Sequence, residues 1–184
     1  MGKGVGDLNI KAKWMSLIQS FVIIDGLYAH INEIVENQTN TSNVLHNVNV
    51  DSNLSLQLPT NFELTMKVKS TMTNSPRFGL KPVSQKDSSN PNYLVMVEQT
   101  STTGKGMHRN NSNLPVGSVS IDGTSYQDWK IEKQGNVFKW YLNEVQIGSD
   151  VTLSWFDTNN PYLLAFYYWQ GGTMYVKDLV IKPL

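Results

Sequence analysis

The spacing of apolar side chains changes once along this chain, near residue 43, and that change limits what the sequence can fold into. Before it, Ile10, Trp14, Leu17, Phe21, Ile24, Tyr28, Ile31 and Val35 follow at steps of 4, 3, 4, 3, 4, 3 and 4. A 3.5-residue repeat puts all eight on one seam of a helix, the pattern by which helices wind into coiled coils. Asp7 stands ahead of the seam as an N-cap. The run Asn37-Gln38-Thr39-Asn40-Thr41-Ser42 ends it, because these side chains compete with a helix for backbone hydrogen bonds. A rival signal lies inside the same stretch. Asp25-Gly26, between Phe21-Val22-Ile23-Ile24 and Leu27-Tyr28-Ala29-His30, has the form of a β-hairpin turn. The length of the repeat decides for a helical oligomerisation segment over residues 1–42, with the hairpin as the alternative. Bulky apolar residues at both seam positions favour three strands over two, so a homotrimer is expected.

From residue 44 the period becomes 2. Phe62, Leu64, Met66 and Val68 alternate with Glu63, Thr65, Lys67 and Lys69, and Phe138, Trp140 and Leu142 alternate with Lys139, Tyr141 and Asn143. Further strands are expected at 45–50, 54–58, 77–81, 93–98, 118–121, 145–148, 151–155, 162–169 and 174–182. Turn signals separate them, among them Asn74-Ser75-Pro76, Asp122-Gly123 and Asn159-Asn160-Pro161. Many short strands with one-sided alternation predict a mainly β antiparallel sandwich over residues 44–184. Residues 99–117 have little apolar content and read as a long polar loop carrying Lys105, His108 and Arg109.

Composition narrows the function classes. Fifteen basic and fifteen acidic side chains cancel. A chain that lives on nucleic acid, or on the membrane through a polybasic patch, needs a basic excess, so neither partner is expected. Charged residues are 16%, against about a quarter in ordinary domains, so the polar surface comes from 19 Asn, 17 Ser and 13 Thr. Together with 10% aromatic residues, this is the mix found where sugars are bound. Cysteine is absent, and His30, His46 and His108 have no metal-ligand spacing, so neither metal nor cofactor is expected. No stretch reaches the roughly 18 apolar residues of a membrane helix, and the opening residues lack the apolar core of a secretion leader.

The segment Gln127–Asn143 has the form W-x-I-x-x-x-G-x-x-x-x-x-Y-x-N, carried by Trp129, Ile131, Gly135, Tyr141 and Asn143. It resembles the central hairpin of concanavalin A-like (laminin G-like) jelly rolls. Leu163–Ile181 resembles the closing hairpin of that fold as seen in carbohydrate-binding modules, and Leu56–Leu64 its first long core strand. Behind a coiled coil, this architecture is similar to bacteriophage receptor-binding, tail-fibre and capsid-fibre proteins. That resemblance implies a non-enzymatic virion protein. The N-terminal segment would grip other particle proteins, and the head would recognise host cell-surface polysaccharide. The alternatives are a structural decoration or assembly protein that binds only protein, and an adhesin fragment from a microbial cell surface.

Glycosidases of the resembled fold carry Glu-x-Asp-x-(x)-Glu on one strand, because one carboxyl must donate a proton while the other attacks or activates water. No strand here holds such a set, and catalysis is not expected. A sugar offers an apolar face and a hydroxyl edge, so a binding site needs a flat ring with amide or guanidinium partners. In 162–169 the even positions are the bulkier and read as core. Tyr167 and Trp169 then lie on the other face, where they floor a groove or meet a neighbouring element. Tyr141 shares a face with Lys139 and Asn143, and Arg77 one with Lys81. Trp155 ends a strand, as a packed terminus or as an exposed platform. Arg77, Tyr141, Trp155, Tyr167 and Trp169 are the candidate carbohydrate-binding residues.

Overall fold

The computed structural model describes residues 10–11, 16–18, 21–22, 29–38, 44–47, 56–88, 90–168 and 172–184. These form two antiparallel sheets. In chain order the strands are β1 (Ile10–Lys11), β2 (Ser16–Ile18), β3 (Phe21–Val22), β4 (Ala29–Gln38), β5 (Val44–Asn47), β6 (Phe62–Ser70), β7 (Arg77–Pro82) and β8 (Tyr93–Gln99). They continue as β9 (Thr103–Asn110), β10 (Ser112–Ser120), β11 (Gln127–Gln134), β12 (Val137–Leu142), β13 (Val145–Thr152), β14 (Tyr162–Tyr168) and β15 (Gly172–Pro183). The larger sheet runs β1-β2-β4-β15-β6-β11-β12-β13, with β3 also paired to β4; the smaller runs β10-β9-β8-β7-β14-β5. The expected sandwich is present.

The N-terminal helix is corrected where residues are described. Ile31 and Val35 lie on β4, which pairs along β15 from Gly172↔Gln38 to Ile181↔Ala29. Ile10, Leu17 and Phe21 fall on β1, β2 and β3. Phe21↔Ile31 and Val22↔His30 pair antiparallel, strand to strand as in the hairpin alternative but one residue off the register of a two-residue Asp25-Gly26 turn, whose residues lie outside the described ones. Trp14, Ile24 and Tyr28 lie outside the described residues. The physical reason is twofold. The seam residues are mostly β-branched or aromatic and suit a strand as well as a helix. The partner strand β15 lies some 140 residues away in sequence, so local spacing does not reveal it. Ile34, which is outside the heptad, is the residue fully buried in the core, while Val35 is half-buried. The trimer argument rested on that helix and loses its basis with it.

The expected loop at 99–117 is also corrected: it holds most of the hairpin β9–β10, turned at Asn110-Asn111 with Asn111 at φ +63°. Two features hide it. The inward positions of β9 are Gly104 and Gly106, so the apolar half of the alternation is missing. β10 is an edge strand whose positions are exposed or half-buried, so its sequence stays polar.

Those glycines position the two sheets. An added Cβ on Gly106 would stand 2.7 Å from Trp140 Cγ, and one on Gly104 3.0 Å from the Trp129 ring. The indoles of the larger sheet therefore press against β9. Trp140 Nε1 donates to the Met96 carbonyl at 3.0 Å, and Trp129 Nε1 donates to Gln99 Oε1 at 2.6 Å. Gln99, fully buried, donates in turn to the Val68 carbonyl at 2.8 Å. These three buried polar side chains are thus satisfied across the layer, each bond contributing about 1 kcal/mol. Phe62, Leu64, Phe78, Val95, Val97, Ile131, Phe138 and Phe166 fill the space between. Trp129 and Trp140 are core residues, as their parity predicts.

Candidate functional site

Strand parity decides what the smaller sheet shows on its outer face. Phe78, Leu80, Val95, Val97, Leu164 and Phe166 point into the core. Their neighbours along each strand therefore point out. Register aligns these outward residues in rows across the strands. Tyr167↔Arg77, Arg77↔Glu98 and Glu98↔Lys105 make one row. Ala165↔Gly79, Gly79↔Met96 and Met96↔Met107 make the next. Leu94↔Arg109 and Arg109↔Asn113 make the third. The polar rows lie four residues apart on β9, about 13 Å at the usual strand rise.

The first row is an ion triad. Arg77 Nε donates to Glu98 Oε2 at 2.7 Å, and Lys105 Nζ donates to Glu98 Oε1 at 2.7 Å. The Glu98 side chain is 2% exposed, Arg77 10% and Lys105 33%. The Arg77 guanidinium also lies 5.3 Å from the centre of the Tyr167 ring. The middle row is apolar: Met96, Met107 and Ala165 join Leu94 and Tyr167 in a buried cluster separate from the main core. The third row carries Arg109, buried, with its Nε lacking a hydrogen-bond partner. Its neighbour along the strand, His108, half-buried, points to the opposite face with its ring 6.4 Å from that of Trp140; its Nδ1 is unpartnered, and burial holds its imidazole below the usual histidine range. Lys81, fully buried further along β7, donates to the Lys86 carbonyl at 2.8 Å; burial lowers its ammonium to about 8, against the opposing pull of Asp87.

A cleft of about 450 Å³ opens onto this face, lined by Arg77, Glu98, Lys105, Met107 and Asn113 and by β10 from Pro115 to Ser118. Two cations flank one carboxylate here, in a chain whose formal charges sum to zero. A second cleft, about 480 Å³, lies on the outer face of the larger sheet. It is acidic, with Glu63, Asp128, Glu144 and Asp178 against Lys67 and Lys130. Among the described residues no group of three His, Asp or Glu side chains is gathered to hold a metal ion.

The candidate residues from the sequence separate. Arg77 and Tyr167 come together on the smaller sheet. Tyr141 lies on the larger one, where its hydroxyl bonds Glu132 Oε2 at 3.1 Å and Lys130 Nζ sits 4.1 Å from its ring centre. Burial, then the bond to Glu132, raises the Tyr141 phenol. Burial would raise Glu132, but the bonds from Lys130 and Tyr141 outweigh it and hold the carboxyl low. Trp155 lies in the loop between β13 and β14, half-buried and stacked on Tyr93 at 4.9 Å, with its Nε1 unpartnered. Trp169 lies outside the described residues. Sequence reasoning missed Glu98, Met107 and Asn113 and left Lys105 and Arg109 in a loop. Arg77 opposite Phe78 was the legible signal; the cross-strand rows that complete the site depend on register.

No protein-family model and no curated protein matches the sequence. Solved structures do resemble the fold. The catalytic domain of an endo-1,3-β-glucanase (laminarinase) from Thermotoga petrophila superposes with a TM-score of 0.56 at 8% identity, over 86% of this chain and 80% of that one. A structure from work on endo-acting O-glycanases of the human gut microbiota gives 0.55 at 9%, over 84% and 80%. A family 7 alginate lyase, A1-II′, crystallised with substrate, gives 0.52 at 11%, over 95% and 84%. At such identities the likeness shows the fold, a concanavalin A-like jelly roll.

Two expectations are corrected by these neighbours. The structures named above come from work on carbohydrate-processing enzymes, so the non-enzymatic phage-type fibre is withdrawn. The exclusion of catalysis goes too. It rested on one missing glycosidase constellation, and an alginate lyase with this fold shows that such a test covers only part of the chemistry the fold carries.

Proposed function

We propose that this chain is a carbohydrate-active domain that engages a polysaccharide in the cleft on the outer face of its smaller sheet. The observation that carries the reading is the pairing of Arg77, Glu98 and Lys105 beside Met107, Pro115 and Val116 in the lining of one cleft. A sugar chain needs apolar surface for its C–H faces and fixed charged donors for its hydroxyls, and both lie within one row spacing here. The named activities of the fold neighbours, on laminarin, mucin O-glycans and alginate, support the same class of ligand. The other large cleft is acidic, and Trp129, the aromatic residue in its lining, is buried in the core.

The test is a polysaccharide panel run against the full chain. Retardation in affinity gels reads binding; new reducing ends and the ultraviolet absorbance of unsaturated products read cleavage by hydrolysis or elimination. At least one polymer is expected to retard the protein. No retardation and no product across neutral and acidic polymers would overturn the reading.

A further inference from the structure

Arg109 is unusual among the charged side chains described. It is 7% exposed, its Nε is buried with no hydrogen-bond partner, and among the described residues no carboxylate pairs with it. Native proteins rarely leave a buried donor unmet, and an unmet charged one still less often, unless a ligand or ion completes it. Glu98, the carboxylate of the ion triad, is shared between Arg77 and Lys105. Three cations therefore face one anion on adjacent strands, in a chain with a formal charge of zero. A cavity of about 10 Å³ touches Arg109, Leu94 and Met96, and it shares Arg77, Met107 and Asn113 with the larger cleft. Its volume suits about one water-sized group, such as an oxygen of an acid. Across the strand, Asn113 pairs in register with Arg109 and offers an amide at the same edge.

We propose that the cleft takes an acidic polysaccharide, with Arg109 receiving an anionic group of the sugar, a uronate carboxylate or a sulfate ester. This inference rests on the reading of the cleft as a polysaccharide site. A guanidinium presents parallel N–H donors that match either oxyanion, and the pairing is stronger where water is excluded. Arg109 is a binding residue here; nothing in the proposal requires a bond to break.

The experiment compares polygalacturonate, dextran sulfate and unmodified dextran as ligands for the full chain and for Arg109→Gln and Arg109→Lys. Binding is read by affinity gels and by ligand-induced thermal shift at two salt concentrations. Wild type is expected to bind one of the two anionic polymers in preference to dextran, more weakly as salt rises. Which polymer binds tells carboxylate from sulfate. Arg109→Gln should lose about tenfold to a hundredfold in affinity, the range for a hydrogen bond to a charged group, and Arg109→Lys less. Without ligand, Arg109→Gln should melt no lower than wild type, because it removes an unpaired buried charge. Equal or better binding of dextran, or unchanged anion affinity in Arg109→Gln, would overturn the inference and leave the polysaccharide reading standing. Silence toward all three polymers would overturn the inference, and the polysaccharide reading falls with it only if the wider panel is silent too.

Discussion

Replacing Glu98 by alanine tests the ion triad from the inside. Glu98 is 2% exposed and gives one oxygen to each cation at 2.7 Å. Removing it leaves Arg77, 10% exposed, with only the face of Tyr167 at 5.3 Å. Breaking a buried pair by deleting one partner costs about 3–5 kcal/mol, because the other charge stays desolvated. Lys105 is a third exposed and turns to solvent, so it adds little. The expected loss for Glu98→Ala is therefore at the lower end, about 3 kcal/mol. That falls within the roughly 5–15 kcal/mol of a natural domain, so the variant remains folded. The double variant Arg77→Met with Glu98→Leu should lose less than the sum of its singles, since it leaves no orphan in the pair. Urea unfolding followed by tryptophan fluorescence gives all the terms. A loss under about 1 kcal/mol for Glu98→Ala would mean that Arg77 regains water freely and that the row is not a buried element of the site.

Three further outcomes follow from the fold and its charges. Gly106→Val would drive a side chain into Trp140, where even a Cβ stands 2.7 Å from Cγ, and would break the bond to the Met96 carbonyl. A loss of about 3 kcal/mol is expected, with a changed near-ultraviolet tryptophan signal. Lys81 has its ammonium lowered from 10.5 to about 8. Between those values the unfolded chain holds a proton that the folded chain has released, so stability rises with pH through the window. Urea midpoints should climb from pH 8 upward, and Lys81→Met should flatten the climb. Glu144 sits at φ +67° beside Asn143 at +48°, the two central positions of the β12–β13 turn. Glu144→Gly relieves a left-handed backbone and should raise stability by about 0.5 kcal/mol in the same urea assay.

Much of the sandwich was legible because β6, β11 and β12 bury one face far more than the other. The alternation through Phe62, Leu64, Met66 and Val68 leaves one way to place β6, and Trp129, Ile131, Phe138 and Trp140 do the same for β11 and β12. Legibility failed where burial is unusual. β9 faces the core with glycines, because indoles from the opposite sheet occupy the space, and β10 is a polar edge. β4 carries apolar spacing that suits two periods, and its long-range partner β15 settles the choice. The site was half legible for the same reason. Parity along β14 and β7 put Tyr167 and Arg77 outward, and their adjacency agrees with both assignments. Glu98, Lys105 and Arg109 enter only through the registers β7–β8 and β8–β9, which no single segment encodes.

If polysaccharide is held on the outer face of the smaller sheet, a wedge on each face separates the two clefts. Ser118 lines the basic cleft, aligned with Lys105, and Thr65 lines the acidic cleft on the larger sheet. Affinity gels on the full chain, with a polymer that wild type retains, would compare Ser118→Trp with Thr65→Trp. The account predicts that Ser118→Trp abolishes retention and Thr65→Trp leaves it unchanged. Retention that survives Ser118→Trp and disappears with Thr65→Trp would contradict it.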